Sequence, residues 1–292
     1  MAELEPYKNG YYLWKYVPSV AAAAVFCAVF FIAATAHVWR TWKRRAWFCI
    51  PFVIGGYMQS IGYAFRAAAH GSTDDLILFA MQQIAILLAP ILLAVSICMA
   101  LGQLIRNVHG DNHWIMSVNW VTGTIILGNT VSLVLQASAT GITITGENTK
   151  PGQSMVIAGL GFQIFMFGLF LLTAVLFHHK MLHDPRAGSV PESLKWKRDL
   201  WILHGLSVLV IARSAFRIAE FASGTDGFLA SHEWPLYVFD SVPMLAVMVA
   251  FWICMPAMKK RPDSWVSLAS ATLALRRIPT AEVLEEARPG KR

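Results

Sequence analysis

The sequence predicts an all-α polytopic membrane protein, a seven-transmembrane helix bundle, and three observations carry that prediction. Hydrophobic residues make up 56% of the 292 and charged residues only 14%, against roughly 45–50% and about 25% in soluble proteins. Apolar stretches of about 18 residues or more, long enough to cross a bilayer as helices, recur along almost the whole chain. Most of the Lys and Arg residues fall in the short segments between those stretches and in the C-terminal tail. At about 20 residues per span plus short loops, the length holds seven or eight helices and leaves no room for a separate catalytic domain. Whatever the chain does, it does within the bundle.

The predicted spans run over 18–38, 47–68, 76–101, 115–138, 155–177, 201–222 and 235–258. Before the first, Glu3 and Glu5 stand where a cleaved signal peptide would carry positive charge, so the first helix is expected to stay in the protein. Pro90 in the third span and Pro243 in the seventh permit kinks. Gly55, Gly56, Gly123, Gly128, Gly159 and Gly161 permit close helix contact. The fourth and fifth spans are joined by a polar, Gly-rich loop around Gly141 to Gly152. Cys27, Cys98 and Cys254 lie inside spans and Cys49 at the edge of one, so they read as small packing residues rather than a disulfide framework.

The net charge of +7 reads as topology rather than as a nucleic-acid surface. Arg40, Lys43, Arg44 and Arg45 follow the first span, Lys180, Arg186, Lys195, Lys197 and Arg198 the fifth, and Lys259, Lys260 and Arg261 the seventh. The opposite side holds only Lys8, Lys15, Arg66 and Lys150. The positive-inside rule therefore predicts an N-terminus outside and a C-terminus in the cytosol. The organisation expected is an extracellular N-terminus over 1–17, a transmembrane domain over 18–258 and a basic cytosolic tail over 259–292. Trp and Tyr crowd the span ends, among them Trp14, Tyr16, Trp39, Trp42, Trp196 and Trp201, as an interfacial aromatic belt.

The informative residues are those that lipid penalises. Arg, Lys or Asp at mid-helix costs about 2.5–3.5 kcal/mol on insertion scales, so such residues face a bundle interior or a watery cavity. Arg213, Arg217 and Glu220 recur at spacings of four and three, on one face of the sixth helix. Arg217 and Glu220 can partly neutralise each other, which leaves Arg213 to pair with Asp240 of the seventh span. Gln59, Tyr63 and Arg66 repeat the spacing in the second span, and Asn129, Ser132 and Gln136 in the fourth. Gln82 opens the third span and Gln163 lies early in the fifth. In the predicted direction nearly all of these occupy the outer half of the membrane, Gln59 and Asn129 nearer its middle, above a far more apolar inner half. A polar cavity open to the outer leaflet is the expectation.

Several chemistries find no support. No Gly-x-x-x-x-Gly-Lys-Ser/Thr segment is present, so a P-loop does not hydrolyse ATP in this chain. The seventh span has no Lys for a retinal Schiff base. His178, His179, His183 and Asp184 match no metal-ligand spacing and sit far from the polar stripes. No catalytic residue, metal or cofactor is assigned, and no nucleic-acid partner is expected.

Arg213-Ser214-Ala215-Phe216-Arg217-Ile218-Ala219-Glu220, followed by Gly224, Gly227, Glu233, Tyr237 and Asp240, resembles the fungal RTA-like lipid-translocating exporters, a seven-helix family. Gly62-Tyr63-Ala64-Phe65-Arg66, Leu88-Ala89-Pro90, Ser132 with Gln136, and Gly159 with Gln163 support the resemblance, which spans about residues 12–260. It implies a plasma-membrane exporter of amphiphiles such as sphingoid bases, sterol-like compounds or porphyrins, with membrane lipids and an amphiphilic small molecule as partners. Relatives usually carry Glu where this chain has Gln59 and Asp where it has Asn129, so two titratable groups are replaced by amides. The leading expectation is a transporter that binds an amphiphile at Gln59, Tyr63, Arg66, Gln82, Asn129, Gln136, Gln163, Arg213, Arg217, Glu220, Glu233, Tyr237 and Asp240. A receptor-like sensor and an intramembrane enzyme using Glu220 and Asp240 are the alternatives.

Overall fold

The computed structural model describes residues 13, 14, 16–107, 118–144, 149–183, 196–223 and 227–254. The described residues fold as helices without strands. Helix α1 spans Val20–Arg44, α2 Ile50–Ala68, α3 Leu76–Asn107, α4 Val118–Ile144, α5 Thr149–His183 and α6 Trp196–Ala222. Two short turns, α7 (Phe228–Ser231) and α8 (Trp234–Leu236), precede a π-helical turn over Tyr237–Ser241, which runs into α9 (Val242–Cys254). Six of these helical stretches are long and apolar enough to cross a membrane, the last being Trp234–Cys254, and α4 holds a shorter apolar stretch over Gly123–Ala139. The protein is an integral membrane protein.

Local chemistry sets the helix ends. Ser19 caps α1, its Oγ accepting from the Ala22 N–H, and the chain leaves α1 through Arg45 in a left-handed conformation with φ of 52°. Pro51 lies in the first turn of α2, where a missing N–H costs nothing. The Phe52 N–H, unspent at that helix start, donates to Ser96 Oγ of α3 at 2.8 Å. Helices α1, α3, α4 and α5 run past the C-terminal edges of their predicted spans, and α5 and α6 start before theirs, because backbone hydrogen bonding continues past the apolar edge. Gly141–Ile144 and Thr149–Gly152, expected as loop, are helical, and Pro151 is accommodated because it falls in the first turn of α5. The predicted cytosolic tail, Lys259 onward, lies outside the described residues, as does Asp184.

Each helix packs on its neighbour in sequence from α1 to α6, α9 lies against α6 and α1, and α3 also touches α6. Most of α3 is buried, so it forms the centre of the bundle. Close approach of α2 to α3 depends on Gly62, where a Cβ would stand 2.6 Å from Ile86 Cγ1. The two ends of α6 are polar and its middle apolar, with Leu203, Leu206 and Val210 fully buried. Asp199 in its first turn and Arg213 are about 21 Å apart along the axis at 1.5 Å per residue.

Candidate functional site

The stripe Arg213, Arg217 and Glu220 faces inward, as helical spacing requires. Arg213 and Asp240 are fully buried, and Arg217 is only 2% exposed. Arg217 grips Asp240 with both Nε (3.2 Å to Oδ1) and Nη2 (2.8 Å to Oδ2), and its Nη1 donates to Glu220 Oε2 at 2.8 Å. Arg213 Nε stands 2.6 Å from Asp240 Oδ1. The expected Arg213–Asp240 pair is therefore part of a larger arrangement, two guanidinium groups sharing one carboxylate. These three buried groups sum to +1, offset by Glu220 at the edge, 17% exposed.

Two backbone irregularities complete this cluster. Pro90 has no N–H to give the carbonyl four residues before it, and that carbonyl, Ile86 O, accepts from Arg213 Nη2 at 2.9 Å. Asp240 lies in the π turn, a helix irregularity common at functional sites. Next to it, Ser241 Oγ bonds to the Tyr63 hydroxyl, which ties α2 to the cluster. Arg213 Nη1 remains without a hydrogen-bond partner.

Arg66, at the end of α2, organises a second layer. Its Nη2 and Nε donate to Glu233 Oε1 at 2.9 and 3.2 Å. Nη2 also donates to the Tyr16 hydroxyl at 2.7 Å and Nε to that of Tyr237 at 3.2 Å. The rings of Trp14, Tyr16 and Tyr237 surround its guanidinium carbon at 5.4 to 5.5 Å, within cation–π range. Glu233 also accepts the Ser19 N–H on both oxygens at 3.1 Å, which fastens the start of α1. Burial pushes the Tyr16 phenol above its usual pKa, outweighing the nearby Arg66, so Tyr16 stays neutral beside the ion pair. Further along this strap, His70 Nδ1 bonds Pro18 O at 2.8 Å and Trp14 meets Phe79 edge-on at 5.3 Å.

The amides of α4 and α5 make their own chain. Gln136 Nε2 donates to Ser132 Oγ at 2.8 Å and to Gln163 Oε1 at 3.0 Å, and Ser132 Oγ donates to Gly159 O at 2.8 Å. Asn129 Nδ2 bonds back to Ile125 O at 2.9 Å, leaving Oδ1 without a partner. Gln82 Oε1, Gln163 Nε2 and both amide atoms of the fully buried Gln59 also lack hydrogen-bond partners among the described residues. Buried polar groups without partners cost about 1–3 kcal/mol each and are ordinarily satisfied by water or a ligand.

Sequence reasoning missed several participants. Trp14 and Tyr16 read as interfacial anchors, whereas they enclose Arg66. Ile86 O was discoverable, because a proline inside a helix frees the carbonyl four residues earlier. Away from the arginine cluster, Asp199 and His37 are also buried, at 0% and 2% exposed. Asp199 pairs with Arg198 at 3.0 Å, and His37 Nε2 bonds Met248 O at 3.1 Å. Asp199 was read as loop because α6 begins a full turn before the predicted start at 201. His178 stacks on His204 and meets Trp201 edge-on, and His179 stacks on His183.

A family model described as RTA1 like protein matches residues 52–261. Protein RTA1 of Saccharomyces cerevisiae is 32% identical over 274 residues, covering 85% of this chain and 86% of its own. Protoporphyrin uptake protein 1 of the same species is 29% identical, covering 83% of this chain and 91% of its own. Sphingoid long-chain base transporter RSB1 of Saccharomyces cerevisiae is 27% identical, covering 85% of this chain and 75% of its own. No solved structure matches.

Proposed function

The chain belongs to the RTA1-like protein family, and on that premise we propose that it is a membrane transporter that binds an amphiphile and moves it across or out of the bilayer. Relatives named for sphingoid long-chain base transport and for protoporphyrin uptake support a lipid-like cargo. In this reading α4 spans the bilayer with the six longer helices. The N-terminus is outside, the basic tail is cytosolic and the membrane is the plasma membrane. The positive-inside bias supports the orientation.

The observation that carries the proposal is the buried +1 cluster of Arg213, Arg217 and Asp240, with Arg213 Nη1 unspent. A cation with a free donor in a low-dielectric interior favours an acceptor, and an amphiphile's polar head supplies one. The head group competes with Asp240 and Glu220 for the arginines. Gln59, Gln82, Asn129, Gln136 and Gln163 offer neutral donors and acceptors along the same interior, and the Arg66–Glu233–Tyr237 layer closes its outer end. Motion around Pro90 supplies the change of access, because Arg213 is bonded to the carbonyl that this proline frees.

Efflux tests the proposal. Cells with and without the protein are loaded with a fluorescent long-chain amino alcohol, whose hydroxyl oxygens accept, or a fluorescent long-chain carboxylate. Faster loss of at least one probe from expressing cells is the expected result. Equal loss of both overturns transport.

A further inference from the structure

The opposite end of α1 carries a cationic site unconnected with the cluster above. The Arg40 guanidinium lies over the Trp252 ring, its carbon 4.1 Å from the centroid, in the seam where α1 meets α9. The same indole meets the His37 ring edge-on at 5.3 Å, so His37, Trp252 and Arg40 are in series along the seam. Among the described residues no carboxylate pairs with Arg40, Lys43 or Arg44. Arg40, in contrast to Arg66, Arg213 and Arg217, is placed against an aromatic ring and has no carboxylate partner among the described residues. The surrounding rings belong to the membrane boundary, Trp42 being 74% exposed and Trp39 61%, with Lys43 Nζ 5.0 Å from the Trp39 centroid.

We infer that this seam binds the phosphate head group of an anionic phospholipid. Arg40 is the main contact, and Lys43 and Arg44, three and four residues on along the same helix face, flank it. Three cations with no carboxylate among the described residues attract an anion. A planar guanidinium fixed on an indole presents its N–H edge to phosphate oxygens with little left to order. The apolar, aromatic rim selects an anion that arrives on an acyl chain over one free in water. Under the positive-inside orientation this end borders the cytosolic leaflet, where anionic lipids reside. The site is independent of cargo transport and stands if that reading fails.

Native mass spectrometry of the full-length protein, purified in detergent with equal phosphatidylserine and phosphatidylcholine, tests it. Wild type retains phosphatidylserine in preference. Arg40→Gln lowers that preference about tenfold, the worth of about 1.4 kcal/mol, near the low end for a hydrogen bond to a charged group. Lys197→Gln, which removes an exposed cation over Trp196 on α6, leaves it unchanged. Should Arg40→Gln fail to fold, Lys43→Gln with Arg44→Gln carries the same expectation at the helix end. Equal retention of the two lipids by wild type overturns the inference, as does an unaltered preference in the folded seam variants. A loss in Lys197→Gln as large as in Arg40→Gln shows general surface charge instead. Displacement of the lipid by excess inorganic phosphate overturns the lipid as occupant.

Discussion

Asp240→Asn is nearly isosteric and removes one charge from the centre of the cluster. Asp240 is fully buried and takes two hydrogen bonds from Arg217, at 3.2 and 2.8 Å, with Arg213 Nε at 2.6 Å. The amide leaves two buried guanidinium groups facing only Glu220, which is 17% exposed. Removing one partner of a buried ion pair costs about 3–5 kcal/mol. At about 2–4 °C per kcal/mol for a chain of this order, the melting temperature falls by on the order of 10 °C. Modification of the buried thiols of Cys49, Cys98 and Cys254 by a fluorogenic maleimide during heating in detergent reads that transition. Combining Asp240→Asn with Arg213→Met removes one stranded cation and recovers about 0.5–3 kcal/mol of the loss. Combining it with Arg66→Met, whose carboxylate partner is Glu233, is additive. A melting temperature within about 2 °C of wild type, or equal coupling to Arg66, refutes the shared-carboxylate account.

Glu233→Gln weakens the fastening of the N-terminal strap to Arg66 and Ser19, costing about 1–3 kcal/mol. Limited proteolysis checks it, with cleavage near Trp14 accelerating before the bundle melts. Gln59→Leu removes an amide with no hydrogen-bond partner among the described residues, so the melting temperature holds or rises while the affinity for a transported amphiphile falls. A fall of several degrees would instead make Gln59 a structural bond. Gly62→Ala places a Cβ 2.6 Å from Ile86 Cγ1 and costs about 1–3 kcal/mol in the same melt. Gly161→Ala, with nothing within 4 Å, is neutral or stabilising by up to about 1 kcal/mol.

The membrane class and the helices were legible because apolar length and charge are local properties. The inward face of Arg213, Arg217 and Glu220 followed from spacing alone, since lipid leaves a charged stripe only one stable direction. The sharing of Asp240 by both arginines was not legible. It depends on the π turn that sets the azimuth of Asp240, and no sequence period announces that turn. Asp199 was hidden for a different reason: the apolar window starts after it, while the helix starts before it. Trp14 and Tyr16 looked like belt residues because an aromatic ring at a helix end serves lipid or a neighbouring cation with the same chemistry. Gln59 and Asn129 were visible as departures from carboxylates, but only coordinates reveal that each retains a buried oxygen without a partner.

Flux of a fluorescent amphiphile across proteoliposomes holding wild type or Arg213→Lys tests the central claim most directly. Lysine keeps the charge beside Asp240 but lacks the fork that reaches Ile86 O and leaves Nη1 free. Wild type should exceed empty liposomes, and Arg213→Lys, folded by its melting curve, should be slower by about tenfold, the worth of about 1.4 kcal/mol and the low end for a hydrogen bond to a charged group. Wild-type flux no greater than that of empty liposomes, or undiminished flux through Arg213→Lys, would contradict transport through this cluster.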